Sequence, residues 1–383
     1  MNNSDLTQQF VSLANQAAGL QGQGKLDAAV ACYRQALALV PGHPVVLSNL
    51  GNALRRRGEY AEALRCQQQA VQIDAHNGWF LANLALAQRS AGQPWLTTLA
   101  ALRDEPLVEP EIRMWAALNL DQPEKAFAFR PKNLNVMDYA DLRALYRPAD
   151  LAARLGRLPS LGGTMPHRTA RPLIYAGGDG VYAARFAQGL ITSALTKSPG
   201  CDVHIHLMNP GAFKPEEAFA DFPAERLTWS IEDMGDCDKI LYSSRRTLRL
   251  AQIQHQVERV IMLIDTDSMV NGDLAAALPA AFDVVLNDRS DEVFAHQMAG
   301  GGFIAVAPSG RDFADFLAAY ILHFEEAGQP RWFDDQLNMV AAKVWFQKNV
   351  PGFSIMPAPP HMMDWTGTHR PESLIWHAKG NLK

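Results

Sequence analysis

The chain is built around the segment Val260-Ile261-Met262-Leu263-Ile264-Asp265-Thr266-Asp267-Ser268. Its five consecutive apolar residues are too few for a free-standing helix, so they predict a strand that is buried on both faces. Asp265 and Asp267 follow at once, and strand alternation directs both carboxylates the same way as the chain leaves the sheet. Open α/β sheets bind their ligands at this carboxyl edge.

The acidic pair is a candidate cation site. Two carboxylates this close repel each other unless a cation lies between them. Oxygen ligands of this kind suit Mg²⁺ or Mn²⁺, which in turn suit a diphosphate. Two other interpretations are open, because short motifs are common by accident. The pair can simply begin a solvated turn, or it can belong to a phosphatase-type D-x-D-x-[TV] site, although Met269 occupies the last position of that motif.

Composition limits the classes of protein to which the chain can belong. Its 383 residues exceed what one hydrophobic core usually supports, so two or three domains are expected. With 48% hydrophobic and 20% charged residues, the chain has the make-up of a globular protein. The formal net charge of −5 gives no reason to expect a nucleic-acid partner.

The sequence predicts a cytoplasmic protein. Its first residues, MNNSDLTQQF, lack the basic region and the apolar core of a secretory signal. The richest apolar run, from Leu274 to Leu286, is interrupted by Pro279 and Asp283, so no transmembrane segment is expected. The four cysteines are scattered without C-x-x-C spacing, which indicates reduced thiols and no zinc site or disulfide framework.

The amino-terminal part of the chain contains an internal repeat. Gly24, Gly58 and Gly92 recur every 34 residues, a period typical of helix-turn-helix solenoids. The same register relates Leu13, Leu47 and Leu81, Ala29 and Ala63, and Ala36 and Ala70. The small residues let paired helices approach closely, and each glycine supplies the turn between them.

This register resembles the tetratricopeptide repeat (TPR), most clearly in LSNLGNALRRRGEYAEALRCQQQAV from Leu47 to Val71. Residues 1–94 are expected to hold two complete repeats and the first helix of a third. Ala75 stands for the usual proline and Gln67 for an aromatic residue, so we expect looser packing there. Such an array offers a concave surface for peptides or partner subunits, or, being short, serves only as a cap or a dimerisation surface.

The pattern changes twice after the repeats. Residues 95–158 are rich in Ala, Leu and Arg and are interrupted by prolines, which predicts a connector of short helices. Residues 159–170 contain Pro159-Ser160-Leu161-Gly162-Gly163-Thr164-Met165-Pro166 and read as a linker. Residues 171–383 alternate strands with helices, which predicts a mostly parallel, Rossmann-like sheet. The fold class is therefore α + α/β, with a helical solenoid followed by this sheet domain.

Several polar groups are expected at the carboxyl edge of the predicted sheet. Asp179 and Tyr182 follow the first strand and have the chemistry to bond and stack on a nucleotide base. The basic helical segment YSSRRTLRLAQIQ, from Tyr242 to Gln254, can place an arginine against a diphosphate. Asp334-Asp335-Gln336 opens a later helix, and Ile375 to Lys383 brings an imidazole, a glycine and an ammonium.

The order of these pieces resembles a glycosyltransferase of the GT-A fold, most closely the retaining family 8. That family has D-x-x-Y after its first strand, D-x-D after a central strand, D-Q later, and H-x-x-G-x-x-K at the end of the catalytic core. All four motifs occur here in that order, within residues 171–383. They begin at Asp179, Asp265, Asp335 and His377.

The resemblance implies a role for each matching residue. It implies metal ligation by Asp265, Asp267 and His377. It implies base contacts from Asp179 and Tyr182, a ribose contact from Asp265, and diphosphate contacts from Lys383 and Arg246, with Arg245 or Arg249 as alternatives to Arg246. It implies three candidate catalytic residues: Asp288, which would face the sugar or the acceptor, and Asp335 and Gln336, which would lie beside the reacting carbon. Two departures from the family are visible. Gly300-Gly301-Gly302 stands for Asn-Ala-Gly, so one amide contact to the sugar is expected to be missing, while Gly302 is still expected to contact the nucleotide sugar. Val181 stands where a polar residue often reads the base, which weakens the expected preference for uridine.

The resemblance implies a metal-dependent retaining transfer of a hexose from a UDP-sugar to a protein or glycan hydroxyl. Mn²⁺ is preferred over Mg²⁺ because an imidazole ligand suits the softer ion. Trp332, Trp365 and Trp376 are candidates to stack on acceptor sugars. Two alternatives from other classes are a non-catalytic TPR scaffold with a degenerate transferase domain, and a metal-dependent phosphohydrolase with Asp265 as its nucleophile.

Overall fold

The structure is a computed structural model that describes residues 3–145, 148–238, 240–289, 293–294, 297–332, 334–364 and 370–377. The chain divides into two compact units. One unit comprises Met1–Pro131 together with Asp291–Ala295, and the other comprises Lys132–Ser290 together with His296–Lys383.

The first unit is a stack of helices. In chain order they are α1 (Asn3–Gly22), α2 (Leu26–Leu39), α3 (Pro44–Arg57), α4 (Tyr60–Ile73), α5 (Gly78–Ser90), α6 (Leu96–Asp104), α7 (Pro110–Asn119) and α8 (Pro123–Ala128). Gly24, Gly58 and Gly92 follow α1, α3 and α5 with φ angles of 74°, 86° and 67°. A left-handed backbone costs glycine little, so the 34-residue period marks the turns that separate paired helices, as the sequence predicts.

The repeat helices pack through small residues. Ala29, Ala36, Ala63 and Ala70 are all fully buried, which confirms their predicted place between helices. The expected loosening at Gln67 is wrong, because its side chain is buried and its amide is satisfied. Ser48 Oγ donates to Gln67 Oε1 at 3.0 Å, and Gln67 Nε2 donates to the Ser48 carbonyl at 2.8 Å. These hydrogen bonds offset the cost of placing an amide where an aromatic ring usually packs.

The second unit is an α/β domain. Its first elements are α9 (Tyr139–Leu145), α10 (Pro148–Leu155), β1 (Gly162–Thr164), β2 (Leu173–Asp179), α11 (Gly180–Lys197), β3 (Asp202–Met208), α12 (Pro215–Ala218), β4 (Leu227–Glu232), α13 (Ile240–Val257) and β5 (Ile261–Ile264). They are followed by β6 (Ser268–Val270), α14 (Leu274–Ala277), β7 (Val284–Asp288), β8 (Ala299–Val306), α15 (Arg311–Glu326), α16 (Asp334–Asn349), β9 (Ile355–Pro357), β10 (Met363–Asp364) and β11 (Ile375–His377). Among the described residues of either unit, every helix is too short or too polar to pass through a lipid bilayer.

The large sheet has the strand order β1-β4-β3-β2-β5-β8-β7-β9. Its neighbouring strands β4, β3, β2 and β5 run parallel, whereas β8 pairs antiparallel with both β5 and β7. A second sheet, β10-β11-β6, lies beyond the end of β5. The chain therefore combines helical repeats with a mixed, mostly parallel sheet, which confirms the predicted fold class. Parallel strands place their carboxyl ends at one edge, so polar residues that follow β2 and β5 meet there.

The boundary between the parts differs from the sequence-based expectation. The division between units falls at Pro131, inside the expected 95–158 connector, and the expected 159–170 linker contains β1. β1 pairs antiparallel with β4 at the edge of the large sheet. Strand pairing uses backbone groups that every residue carries, so a glycine-rich strand leaves no side-chain pattern to detect. Gly163 has φ 96°, and a Cβ there would lie 2.4 Å from the Trp229 carbonyl.

β2 passes into α11 without an intervening loop. β2 continues through Gly177 and Gly178 and pairs with β3 as far as Asp179. α11 begins at Gly180, where a Cβ would lie 2.0 Å from the Pro210 carbonyl oxygen. The absence of a side chain at Gly180 therefore permits the close approach that brings Asp179 to the sheet edge.

We predict that Gly180→Ala destabilises the α/β unit by about 2–3 kcal/mol, because two backbone segments must separate to admit one methyl group. Urea denaturation followed by circular dichroism measures this loss. Gly200→Ala is the matched control, since a Cβ at Gly200 meets nothing within 4 Å. Its free energy of unfolding should remain within about 0.5 kcal/mol of the parent protein. Equal stability of the two variants would show that the junction of β2 and α11 accommodates a methyl group at position 180 without strain.

Candidate functional site

Two adjoining cavities lie at the carboxyl edge of the large sheet. The first, of about 310 Å³, is lined by Gly177, Gly178, Asp179, Tyr182, Tyr242, Ser243, Arg246, Asp265, Thr266, Asp267 and Trp332. The second, of about 270 Å³, is lined by Ser243, Arg246, Asp265, Arg289, Gly300, Gly301, Gly302, Trp332, Asp335 and Gln336. Four residues belong to both linings: Ser243, Arg246, Asp265 and Trp332. Two compartments joined by shared residues can hold the two ends of one extended ligand.

Asp265, Asp267 and His377 converge beside the first cavity. Their ligand atoms all lie within 4.8 Å of one another. His377 Nε2 is 3.3 Å from Asp265 Oδ2, and His377 Nδ1 is 3.5 Å from Asp267 Oδ1. The imidazole reaches the acids because β11 pairs antiparallel with β6, in a register that places His377 opposite Ser268. Residues far apart in sequence thus form one compact group of donors.

This donor set fits a divalent cation of intermediate softness. Asp267 and His377 are buried and Asp265 is partly buried, so bulk water solvates these three side chains poorly. Two carboxylates favour Mg²⁺ or Mn²⁺, and the added imidazole favours Mn²⁺. The group therefore has the composition and the spacing of a candidate metal centre.

Arg246 is the cation that faces the two cavities. Its guanidinium is ion-paired with Asp265 Oδ1, donates to the Gly301 carbonyl at 3.1 Å, and lies 3.7 Å from Asp335 Oδ2. Burial acts to lower the pKa of Arg246, but the charges of Asp265 and Asp335 outweigh it and raise that pKa above its usual value. Arg246 therefore stays charged and joins the acids of the first cavity to those of the second.

The neighbouring arginines of α13 point elsewhere. Arg249 is fully buried and donates through Nε to Glu232 Oε2 at 2.9 Å, and its Nη2 lies 2.7 Å from Glu232 Oε1. Arg245 lies 3.1 Å from Glu325 and 3.6 Å from Glu232. Burial alone would raise the pKa of Glu232, but hydrogen bonds from His206 and Arg249 lower it to about 2. These pairs attach α13 to β4 and to α15. Of the three arginines, Arg246 is the one that the structure brings to the cavities.

Asp179 and Tyr182 both line the first cavity. Asp179 caps α11, because its Oδ1 accepts a hydrogen bond from the Tyr182 backbone N–H at 2.8 Å. The Tyr182 ring packs against Phe186 with a centroid distance of 5.3 Å. One carboxylate oxygen of Asp179 is thus engaged in folding the helix, and the tyrosine face is set by its neighbour on the same helix.

The second cavity brings together the glycine tripeptide and the start of α16. A Cβ added at Gly301 would lie 3.2 Å from both Asp335 Oδ2 and Gln336 Cγ. Gly302 lines the same cavity. The glycines therefore allow the carboxylate and the amide to lie directly against a strand, where backbone groups are also within reach of a ligand.

Some predicted site residues are not brought to the cavities. Asp288 Oδ2 accepts a hydrogen bond from Lys343 Nζ at 2.6 Å, and among the described residues it is absent from both linings. The β7–β8 register shifts between Leu286 and Asp288, so alternation along β7 does not continue to its end. Trp376 Nε1 donates to the Arg370 carbonyl at 2.7 Å. Lys383 and Trp365 lie outside the described residues.

Several lining residues were missed at the level of sequence. Tyr242 and Ser243 precede Arg246 by four and three residues on α13, so helical spacing places all three on one face and could have identified them. Thr266 lies between the two predicted acids, and its buried hydroxyl oxygen has no hydrogen-bond partner in the described structure. Arg289 directly follows β7 and left no pattern from which its role could be inferred.

Known proteins resemble this chain to limited extents. Residues 8–76 match the tetratricopeptide repeat family. No curated protein matches the chain in sequence. A mutant of the Thermobaculum terrenum O-GlcNAc transferase aligns with a TM-score of 0.33 and 17% identity over 69% of this chain and 46% of that one. The apo structure of WbbM, a bifunctional glycosyltransferase, aligns with a TM-score of 0.41 and 13% identity over 58% of this chain and 48% of that one. The chain spans about half the length of each.

Asp334 anchors the start of α16, next to Asp335. Its Oδ2 accepts hydrogen bonds from Asn135 Nδ2 at 2.8 Å and from the Arg331 backbone N–H at 2.9 Å. Burial raises the pKa of Asp334 to about 6, and the negative charge of Asp335 adds to that rise, although both hydrogen bonds oppose it. Ionised Asp334 therefore costs the fold stability near neutral pH.

This pKa predicts a pH-dependent stability that Asp334→Asn removes. Because the folded-state pKa exceeds the unfolded one, the contribution of Asp334 is largest at low pH and is lost as pH rises through about 6. We expect the variant to gain about 2 kcal/mol of unfolding free energy relative to the parent protein between pH 4.5 and 7.5. Urea titrations at several pH values measure the difference. A difference that does not change with pH would mean that Asp334 titrates normally.

Proposed function

We propose that this protein is a metal-dependent glycosyltransferase that moves a hexose from a UDP-sugar to an acceptor hydroxyl with retained configuration. The observation that carries the proposal is the meeting of Asp265, Asp267 and His377 beside two joined cavities. The first cavity suits a nucleoside diphosphate and the second suits a sugar. A candidate cation site next to their shared lining is where a diphosphate would lie.

The proposed metal ligands are Asp265, Asp267 and His377, with Mn²⁺ preferred over Mg²⁺. When bound, such an ion supplies Lewis-acid neutralisation of a departing diphosphate. Arg246 supports this role, because its ion pair with Asp265 holds that carboxylate in place. The family resemblance adds Lys383 as a further diphosphate contact.

The nucleoside is proposed to bind at the α11 end of the first cavity. Tyr182 offers a ring face for stacking, and Asp179 has a second carboxylate oxygen to accept a base N–H. Val181 is 78% exposed and apolar, so it contributes no hydrogen bond to reading the base. Recognition of uracil would therefore depend on Asp179, Tyr182 and the hydroxyl of Tyr242.

The hexose is proposed to occupy the second cavity, against Gly302, Asp335 and Gln336. Retention by double displacement needs a free carboxylate beneath the sugar. Asp335 is held 3.7 Å from the Arg246 guanidinium, and Gln336 is neutral, which makes both poor nucleophiles. We therefore favour attack from the leaving-group face, where the departing phosphate accepts the proton of the acceptor hydroxyl. Asp335 and Gln336 would shape the cavity and hold the sugar hydroxyls. Asp288 has no part in this proposal, because Lys343 engages it outside the cavity linings.

The TPR helices supply a proposed surface for recruiting a protein or glycan acceptor, or a second copy of the chain. We place the activity in the cytoplasm, in keeping with the four cysteines, all of which are free thiols.

We predict that UDP raises the melting temperature of the protein only when Mn²⁺ is present, and that Asp267→Asn and His377→Ala abolish this effect. Each substitution removes one proposed ligand, so the ion and the diphosphate it attracts are both lost. Thermal-shift measurements with UDP, UDP-glucose, UDP-galactose and UDP-N-acetylglucosamine, with and without Mn²⁺, test the expectation. Asp221→Asn is the control, because it removes the same charge from an exposed position.

The same measurements separate the proposal from its alternatives. Unchanged UDP affinity in Asp267→Asn, measured by calorimetry, would contradict the metal assignment. An inert transferase domain that binds no nucleotide sugar, in a protein whose repeats still bind peptide, would favour the scaffold. Trapping of fluoroberyllate on Asp265 would favour the phosphohydrolase.

A further inference from the structure

Trp332 lies where the two cavities join. It lines both of them, together with Ser243, Arg246 and Asp265, and its side chain is 55% exposed. The other three shared residues are polar or charged. An indole is therefore the one large apolar surface among the shared lining residues, and more than half of it faces solvent.

The segment that carries Trp332 is held on both sides. Asn135 Nδ2 donates to the Gln329 carbonyl at 2.6 Å and to Asp334 Oδ2 at 2.8 Å. The Arg331 backbone N–H also donates to Asp334, and Tyr320 Oη donates to the Asn135 carbonyl at 2.6 Å. A buried carboxylate and four hydrogen bonds thus hold Gln329, Arg331 and Asp334, which flank a side chain that packs only partly. An exposed side chain on a fixed backbone is preorganised for contact with a ligand.

An indole offers a flat apolar face and one N–H donor, which together match a pyranose ring. The axial C–H groups of the sugar cover the face, while its hydroxyls remain free for hydrogen bonds. The carbohydrate at this position is better matched to the acceptor than to the donor. The donor hexose is proposed to lie against Gly302, Asp335 and Gln336 in the second cavity. Trp332 lines the same cavity but is more than half exposed, so it borders the solvent from which an acceptor arrives.

We propose that Trp332 is the platform on which the pyranose ring of a carbohydrate acceptor stacks, so that the acceptor is a glycan and not a serine or threonine hydroxyl of a protein. This inference rests on the proposed glycosyltransferase function. The stacked ring directs its hydroxyl toward the junction of the cavities, where the donor bond would break. Trp332 contacts the acceptor but takes no proton and forms no bond.

A donor-only experiment separates this inference from the function beneath it. The parent protein is incubated with Mn²⁺ and each of UDP-glucose, UDP-galactose and UDP-N-acetylglucosamine without any acceptor, and both binding and UDP release are measured. Binding with slow hydrolysis supports the proposed function. If the protein binds none of the three donors, the proposed function is overturned, and the inference with it. Every later result is then specific to Trp332.

The acceptor experiment uses methyl pyranosides of glucose, galactose and N-acetylglucosamine beside a mixture of serine- and threonine-containing peptides. We expect transfer to at least one pyranoside. Trp332→Ala should raise the acceptor KM about tenfold, which corresponds to about 1.4 kcal/mol. The acceptor KM should rise at least about fivefold more than the donor KM, and Trp332→Phe should restore the acceptor KM to within about threefold of the parent value, because a ring remains.

Met356→Ala is the matched control, since Met356 is an exposed apolar side chain on β9 outside the linings of both cavities described here. It should leave both KM values unchanged. The inference is overturned by transfer to peptides alone, by transfer to none of the pyranosides, or by an unchanged acceptor KM in Trp332→Ala. It is also overturned if donor KM rises instead, because Trp332 would then be a donor contact.

Discussion

The site depends on the repulsion between two carboxylates that a buried strand delivers one residue apart. Asp265 and Asp267 leave β5 side by side, and the fold surrounds them with a guanidinium and an imidazole. Arg246 pairs with the first acid, and His377 lies against both. Each of these groups comes from a different element, so α13, β5 and β11 must all be in place before the site is assembled. The proposed cation would complete an arrangement that the protein already favours electrostatically.

The position of Arg246 depends in turn on a buried ionic cluster beneath it. Glu232, at the end of β4, has a fully buried side chain. It accepts a hydrogen bond from Arg249, contacts His206 Nε2 and lies near Arg245. These partners keep the buried carboxylate of Glu232 ionised. Removing any one of them would leave an uncompensated buried charge. The cluster fixes the rotation of α13 about its axis. That rotation decides which of three neighbouring arginines faces the ligand cavities.

The sequence predicts most of what local rules control. Gly24, Gly58 and Gly92 mark the turns of the repeats because a left-handed backbone favours one residue type, and the apolar run before Asp265 predicts its strand because burial on two faces needs such a run. Prediction from sequence fails where partners distant in the chain determine the structure. β1 forms through backbone pairing alone, Gln67 is satisfied by Ser48 on another helix, and Lys343 draws Asp288 to an ion pair across 55 residues of chain. None of these partners is visible from the spacing of residues within one element.

The pairing of β11 with β6 also has a consequence for how the protein is made. β6 follows the acids immediately, but its partner strand is encoded far downstream, and the ribosome delivers it long after the central strands have emerged. During that interval the nascent chain carries the acids without the imidazole that later lies between them. The acids and the imidazole can therefore meet only after β11 has been synthesised, so the donor set matures later than the strand that carries the acids.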